Sequence, residues 1–142
     1  MIKKSILILC VIVNCFMTVN AQNNIISIEH DTIRWQVSSF YDESNHETLN
    51  ETGSFILKGG LNIKWIQDAD QATHDFTIVN REGNWPDLSQ NGSMTFMVER
   101  NNRPGKIVFT RTSERTSIRM EFIRDNINVM PFTFNVIGLE KM

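Results

Sequence analysis

From about residue 24 onward apolar and polar residues alternate with a period of two. That rhythm restricts the chain to β-strands, because only a strand sends successive side chains to opposite faces. TIRWQVSSF sets Ile33, Trp35 and Val37 against Arg34, Gln36 and Ser38. HDFTIVN offers Phe76 and Ile78, SMTFMVER offers Met94, Phe96 and Val98, and KIVFT offers Ile107 and Phe109. TSIRMEFIR sets Ile118, Met120 and Phe122 against Ser117, Arg119 and Glu121, and PFTFNVIG offers Phe132, Phe134 and Val136. No window keeps an apolar stripe at helical spacing for long; a short helical turn fits only Asp68 to Thr73.

The connections are short and rich in turn residues. FILKGGLNIKW predicts a hairpin around Gly59-Gly60, since glycine reaches the positive φ of tight turns at little cost. A strict two-residue turn there pairs Ile56 with Ile63 and faces Phe55 and Leu57 outward, opposite Lys64 and Asn62; the apolar run leaves this register open. ERNNRPGKI and TRTSERTSI are the next two turns. The fold class is therefore all-β, and tightly joined neighbours form a meander. About eight short strands predict a small antiparallel up-and-down β-barrel, in which closure removes exposed edges. The alternative is a two-sheet β-sandwich, which needs longer crossings; residues 42 to 52 are the one candidate.

The inward set is bulky: Trp35, Trp65, Phe76, Phe96, Phe109, Met120, Phe122, Phe132 and Phe134. An eight-stranded barrel has an interior about as large as its side chains can fill, so these rings predict a solid core. Lipocalin-like carriage of a small apolar ligand is the competing reading, and it needs a cavity. The Gly-x-Trp opening of lipocalins is absent, since Thr32-Ile33-Arg34-Trp35 has the tryptophan without the glycine.

The N-terminus reads MIKKSILILCVIVNCFMTVNAQ. Lys3 and Lys4 precede an apolar run, Ile6 to Val13, that is too short to span a membrane, and Ala21 offers a small residue for cleavage. We read residues 1–21 as a secretory signal peptide and 22–142 as one barrel domain in a secreted or periplasmic protein. The final Ala-Gln resembles export signals of the Bacteroidota. Cys10 and Cys15 both fall in the signal, so the mature chain has neither a disulfide nor a thiol nucleophile. Cleavage removes two of the fourteen Lys and Arg and none of the sixteen Asp and Glu, which leaves 121 residues and a net charge of −4. That balance argues against nucleic-acid binding.

Catalytic motifs are missing. There is no nucleophile elbow, phosphate loop or nucleotide fingerprint, and His30, His46 and His74 form no spaced metal pair. Asp68, Asp70, His74 and Asp75 gather in QDADQATHD, but a calcium loop would also need its glycine and terminal glutamate, so surface acidity is expected. Late basic residues, among them Lys106, Arg111 and Arg119, interleave with Glu114 and Glu121, as in cross-strand pairing on a wet face. We expect no enzyme, cofactor or metal.

The loop REGNWPDLSQNGS carries a tryptophan outside any alternating strand. Trp85 either folds back to plug a barrel mouth or stands out as a partner anchor stiffened by Pro86. We assign partner binding to Asn84, Trp85, Pro86 and Asp87, and secondly to the freed N-terminus, Gln22, Asn23 and Asn24. In size, export signal and strand content the chain resembles the small β-barrel protease inhibitors of Bacteroidota, the potempin type. The likeness is one of layout. It implies a non-catalytic binding protein that inhibits a secreted or periplasmic protease through loops or the mature N-terminus. The alternatives are a lipocalin-like carrier and a structural subunit of an envelope assembly.

Overall fold

The computed structural model describes residues 25–124 and 128–142. The predicted signal peptide and Gln22, Asn23 and Asn24 lie outside the described residues. The strands are β1 (Thr32–Asp42), β2 (Glu47–Leu49), β3 (Gly53–Lys58), β4 (Asn62–Gln67), β5 (Thr73–Gly83), β6 (Gly92–Arg100), β7 (Arg103–Arg111), β8 (Thr116–Arg124) and β9 (Asn128–Lys141). They form one antiparallel sheet in the order β2-β1-β3-β4-β5-β6-β7-β8-β9, and β9 returns to pair with β1. That pairing runs from Ile33 opposite Lys141 to Asp42 opposite Phe132. It closes an eight-stranded up-and-down barrel, with β2 as an extra strand beside the end of β1. The expected all-β barrel is thus the fold, and the sandwich is not.

Closure bends β1. Its register against β9 shifts at Gln36/Val37 and again between Val37 and Ser39. Such irregularities turn a strand round a corner and re-aim its side chains. Ile33 and Trp35 are buried before the shifts, Val37 between them, and Phe40 and Asp42 after them.

Two local expectations are corrected. In the Gly59-Gly60 hairpin Leu57 lies opposite Ile63 and Phe55 opposite Trp65, so Phe55 and Leu57 face inward. The glycines do adopt φ of 50° and 70°, and Leu61 N donates to Lys58 O at 2.8 Å. Leu61 is then one residue extra before the ladder begins at Asn62, and a one-residue shift reverses which face every side chain meets. At Asp68 to Thr73 there is a hairpin turn and no helical turn: Gln67 N donates to Ala72 O at 2.9 Å, and Ile66 pairs with Thr73. Asp70 Oδ1 accepts the Ala72 N–H, and such a local carboxylate bond favours a turn over a helix.

The expected inward set forms the core, joined by Phe55, which was expected to face outward. Trp35, Phe55, Phe76, Phe96, Phe109, Met120 and Phe134 are buried, with Trp65, Phe122 and Phe132 packed against them. The rings interlock: Trp35 and Phe109 lie 4.9 Å apart between centroids, Phe55 and Phe134 4.8 Å, Trp65 and Phe134 5.1 Å, and Phe96 meets Phe109 edge-on at 5.7 Å. Tilted and edge-to-face pairs of this kind add to the burial term itself. Outside, Lys106 Nζ lies 3.2 Å from Glu121 across strands, as expected, and Lys64 Nζ likewise lies 3.5 Å from Asp75. We predict that Phe109→Ala lowers the unfolding free energy by about 3–5 kcal/mol in urea titration, because a buried ring is removed from a closed layer. A loss near zero would show that the interior has room to collapse.

Candidate functional site

Three turns meet at one end of the barrel, which we call the near end: Lys58–Leu61, the β5–β6 loop of residues 84–91, and residues 112–115. The loop that carries Asn84, Trp85, Pro86 and Asp87 lies here, and the chain enters β1 at this same end.

Trp85 does not stand outside. The side chain is buried, with its ring 5.9 Å from that of Trp35, and Nε1 donates to Gln90 O at 3.0 Å. Its reading as an exposed anchor is therefore corrected: the indole plugs the near end. Gly92 makes this arrangement possible, because a Cβ at that position would overlap the Trp85 ring. Leu88 follows Trp85 into the core, and Ile28 enters it from the N-terminal segment. The loop backbone thus dips twice, leaving Asn84, Pro86, Ser89, Gln90 and Asn91 exposed, with Asp87 half-buried.

Polar contacts fix the exposed part. Asp87 Oδ1 accepts the Ser89 N–H at 2.9 Å and the Ser89 hydroxyl at 2.7 Å. The Ser89 side-chain bond, the Ser89 backbone bond and, more weakly, the charge of Arg111 hold the Asp87 carboxyl below its usual range. Arg111 Nη1 donates to Leu88 O at 2.8 Å, tying the loop to β7. Leu88 N reaches Ile26 O at 3.5 Å, which brings the N-terminal segment beside the loop.

That segment is held by Asp31. Its Oδ2 accepts the Ser27 N–H at 2.8 Å, and its Oδ1 lies 2.8 Å from Lys141 Nζ. The Lys141 bond and then the Ser27 bond hold this carboxyl low. The Ser27–Asp31 turn drives Ile28 into the barrel mouth. Sequence reading missed this lock; its trace was a lone isoleucine between the turn-forming Ser27 and Asp31.

Between segment and loop lies an open groove of about 480 Å³. Its lining includes apolar Ile25, Ile26, Leu88 and Leu139 and polar Asp87, Gln90 and Arg111. Apolar residues with a few polar groups are the usual make-up of a binding groove.

The opposite end differs. The His74 ring lies tilted against Trp65, 4.9 Å between centroids, and its Nε2 lies 3.0 Å from Gln67 Oε1. Gln67 Nε2 donates to Glu51 at 2.7 Å, so Gln67 presents its carbonyl to the ring and Nε2 is the protonated nitrogen. Nδ1 is buried without a partner. Burial first, and then the charge of Arg100, lower the His74 pKa. The acidic turn does not assemble into a site: Asp75 pairs with Lys64, and Asp70 caps its own turn. Among the described residues no three His, Cys, Asp or Glu side chains stand close enough to share a metal ion, and no helix is long and apolar enough to cross a membrane.

No family model matches the chain, and neither does a curated protein or a solved structure.

Two outcomes follow from the plug. Trp85→Ala is expected to destabilise the fold by about 3–5 kcal/mol, and Gly92→Ala by about 1–3 kcal/mol through displacement of the indole, both read from denaturant midpoints. A Trp85→Ala effect within about 0.5 kcal/mol would mean that the indole lies in water. The acid response has a defined sign. Asp31 has a depressed pKa in the fold, so its contribution is complete above the ordinary value of 3.8 and fades as pH falls through the lower folded value. Asp31→Asn should therefore flatten the loss of thermal stability below about pH 4 while lowering the plateau at neutral pH. An unchanged acid limb would dissociate Asp31 from the near-end lock.

Proposed function

We propose that this is an exported, non-catalytic binding protein that recognises a protein partner at the near end, and that the partner is a secreted or periplasmic protease which it inhibits. One observation carries the reading: the loop of residues 84–91 is anchored from inside by Trp85 and Leu88 while Asn84, Pro86 and Gln90 remain exposed beside the groove. A loop already held in one shape loses little conformational freedom on binding, and this is what a segment lying in an active-site cleft requires. The Trp85, Asp87 and Arg111 hydrogen bonds restrain the loop without using the side chains of Asn84, Pro86 or Gln90. Export rests on the N-terminal sequence, with its two lysines and short apolar run. Asn84, Pro86 and Asp87 keep their assignment; Trp85 becomes the residue that positions them. A carrier of apolar ligands has less support, because rings occupy the space between Trp35, Phe55, Phe109 and Phe134 that such a ligand would need.

The test is a titration of the purified protein against secreted metallo-, serine and cysteine proteases with peptide substrates. We expect stoichiometric inhibition of at least one class, weakened about tenfold or more when Pro86 and Gln90 are both replaced by Asp, with an unchanged melting temperature. Absence of inhibition and of binding across all three classes would contradict the protease reading.

A further inference from the structure

On the barrel wall, away from the near-end groove, a second concavity of about 190 Å³ opens over the outer faces of β1, β2, β8 and β9. Hydroxyls and an amide gather here, whereas several cross-strand pairs elsewhere on the wall, such as Lys64–Asp75, Lys106–Glu121 and Arg34–Glu140, are charged. One row across the strands reads Ser39, Asn135, Ser117, and the next reads Thr48, Tyr41, Thr133. The alternation of β1, re-phased by its register shifts, aims Ser39 and Tyr41 outward while Phe40 points to the core.

The polar groups are positioned. Tyr41 is 37 % exposed, and its hydroxyl lies 3.2 Å from His46 Nδ1. Asn135 Nδ2 donates to Ser38 Oγ at 3.0 Å, which leaves its carbonyl oxygen free to point elsewhere. At one side Arg119 grips Glu43 through Nε and Nη2, both at 3.0 Å, and Thr133 Oγ1 donates to the same carboxylate at 2.9 Å. The Arg119 bond is the main reason the Glu43 carboxyl is held low, so this acid is compensated and does not repel an anion. At the other side Arg115 lines the concavity from a turn that Thr112 braces, with Thr112 Oγ1 accepting the Arg115 N–H at 3.2 Å. Arg115 is the charged residue among those that line the space.

We propose that this concavity binds an acidic monosaccharide unit of the hexuronic acid class. A pyranose presents hydroxyls that both donate and accept, and side-chain hydroxyls and amides match them in kind. Its C–H face is apolar and suits an aromatic ring that carries a polar tip, as Tyr41 does. A single carboxylate on the sugar meets the single guanidinium, whose planar fork binds carboxylates with two parallel hydrogen bonds. The site lies on a different face from the near-end groove and does not depend on the protease reading.

The experiment is a two-dimensional NMR titration of the 15N-labelled protein with sodium glucuronate, with glucose and sodium acetate in parallel. Glucuronate is expected to give saturable shifts at millimolar concentration, centred on the amides of Ser39, Tyr41, Ser117 and Asn135. Glucose should shift the same amides more weakly. Arg115→Gln should weaken glucuronate about tenfold and leave glucose unchanged, while Tyr41→Ala weakens both. Asn135→Ala supplies an independent variant on β9, expected to weaken both sugars with the spectrum otherwise intact. Acetate producing the same shifts as glucuronate would reduce the site to a simple anion contact and overturn the proposal. So would shifts that map elsewhere, fail to saturate or survive Arg115→Gln unchanged.

Discussion

The packing of Trp85 against Trp35 is the contact on which the near end depends. Trp35 sits in β1 with Phe109 on one side of its ring, and Trp85 comes down on it from the loop at 5.9 Å. Gly92 leaves the space, and the Gln90 carbonyl satisfies the buried indole N–H of Trp85. Removing any one of these would either leave a buried donor unpaired or force a large ring toward water. The Trp35 N–H itself has no partner, a cost that the surrounding ring contacts offset.

From that contact the geometry of the near end follows. A loop pinned by one indole and one leucine cannot flop, so its exposed residues hold their positions relative to Ile25 and Ile26. Asp31 does for the N-terminal segment what Trp85 does for the loop, binding Ser27 and Lys141 with a single carboxylate. The near end is therefore held by two devices, one apolar and one ionic, and their sensitivities differ: the ionic device weakens in acid, the apolar one does not. The barrel interior acts as a rigid support, which is how all-β scaffolds commonly carry binding loops.

Period-two alternation was enough to read the barrel, because inward residues from Trp35 to Phe134 obey it almost without exception. It failed where a single residue changes phase. Leu61, added after the Gly59-Gly60 turn, put Phe55 and Leu57 inside, and no propensity distinguishes Phe55, Ile56 and Leu57 from one another. The re-phasing of β1 near Val37 is likewise set by closure against β9, a contact about a hundred residues away in the chain. The convergence of the Ser27–Asp31 turn with the Trp85 loop, and of Tyr41 with Asn135 and Ser117, depends on the same closure. Trp85 itself was conspicuous, but its direction was not, since proline, aspartate and serine around it describe a turn and say nothing about which side of the turn faces water.

The most direct measurement is 19F NMR of protein labelled with 5-fluorotryptophan, with the resonances assigned through Trp85→Phe and Trp65→Phe. The solvent isotope shift between H2O and D2O reports water at each ring. The account predicts almost no shift for the Trp35 and Trp85 resonances and a larger one for the half-buried Trp65. A Trp85 resonance with the isotope shift of free 5-fluorotryptophan would contradict it, for the loop would then be unpinned and the near end open.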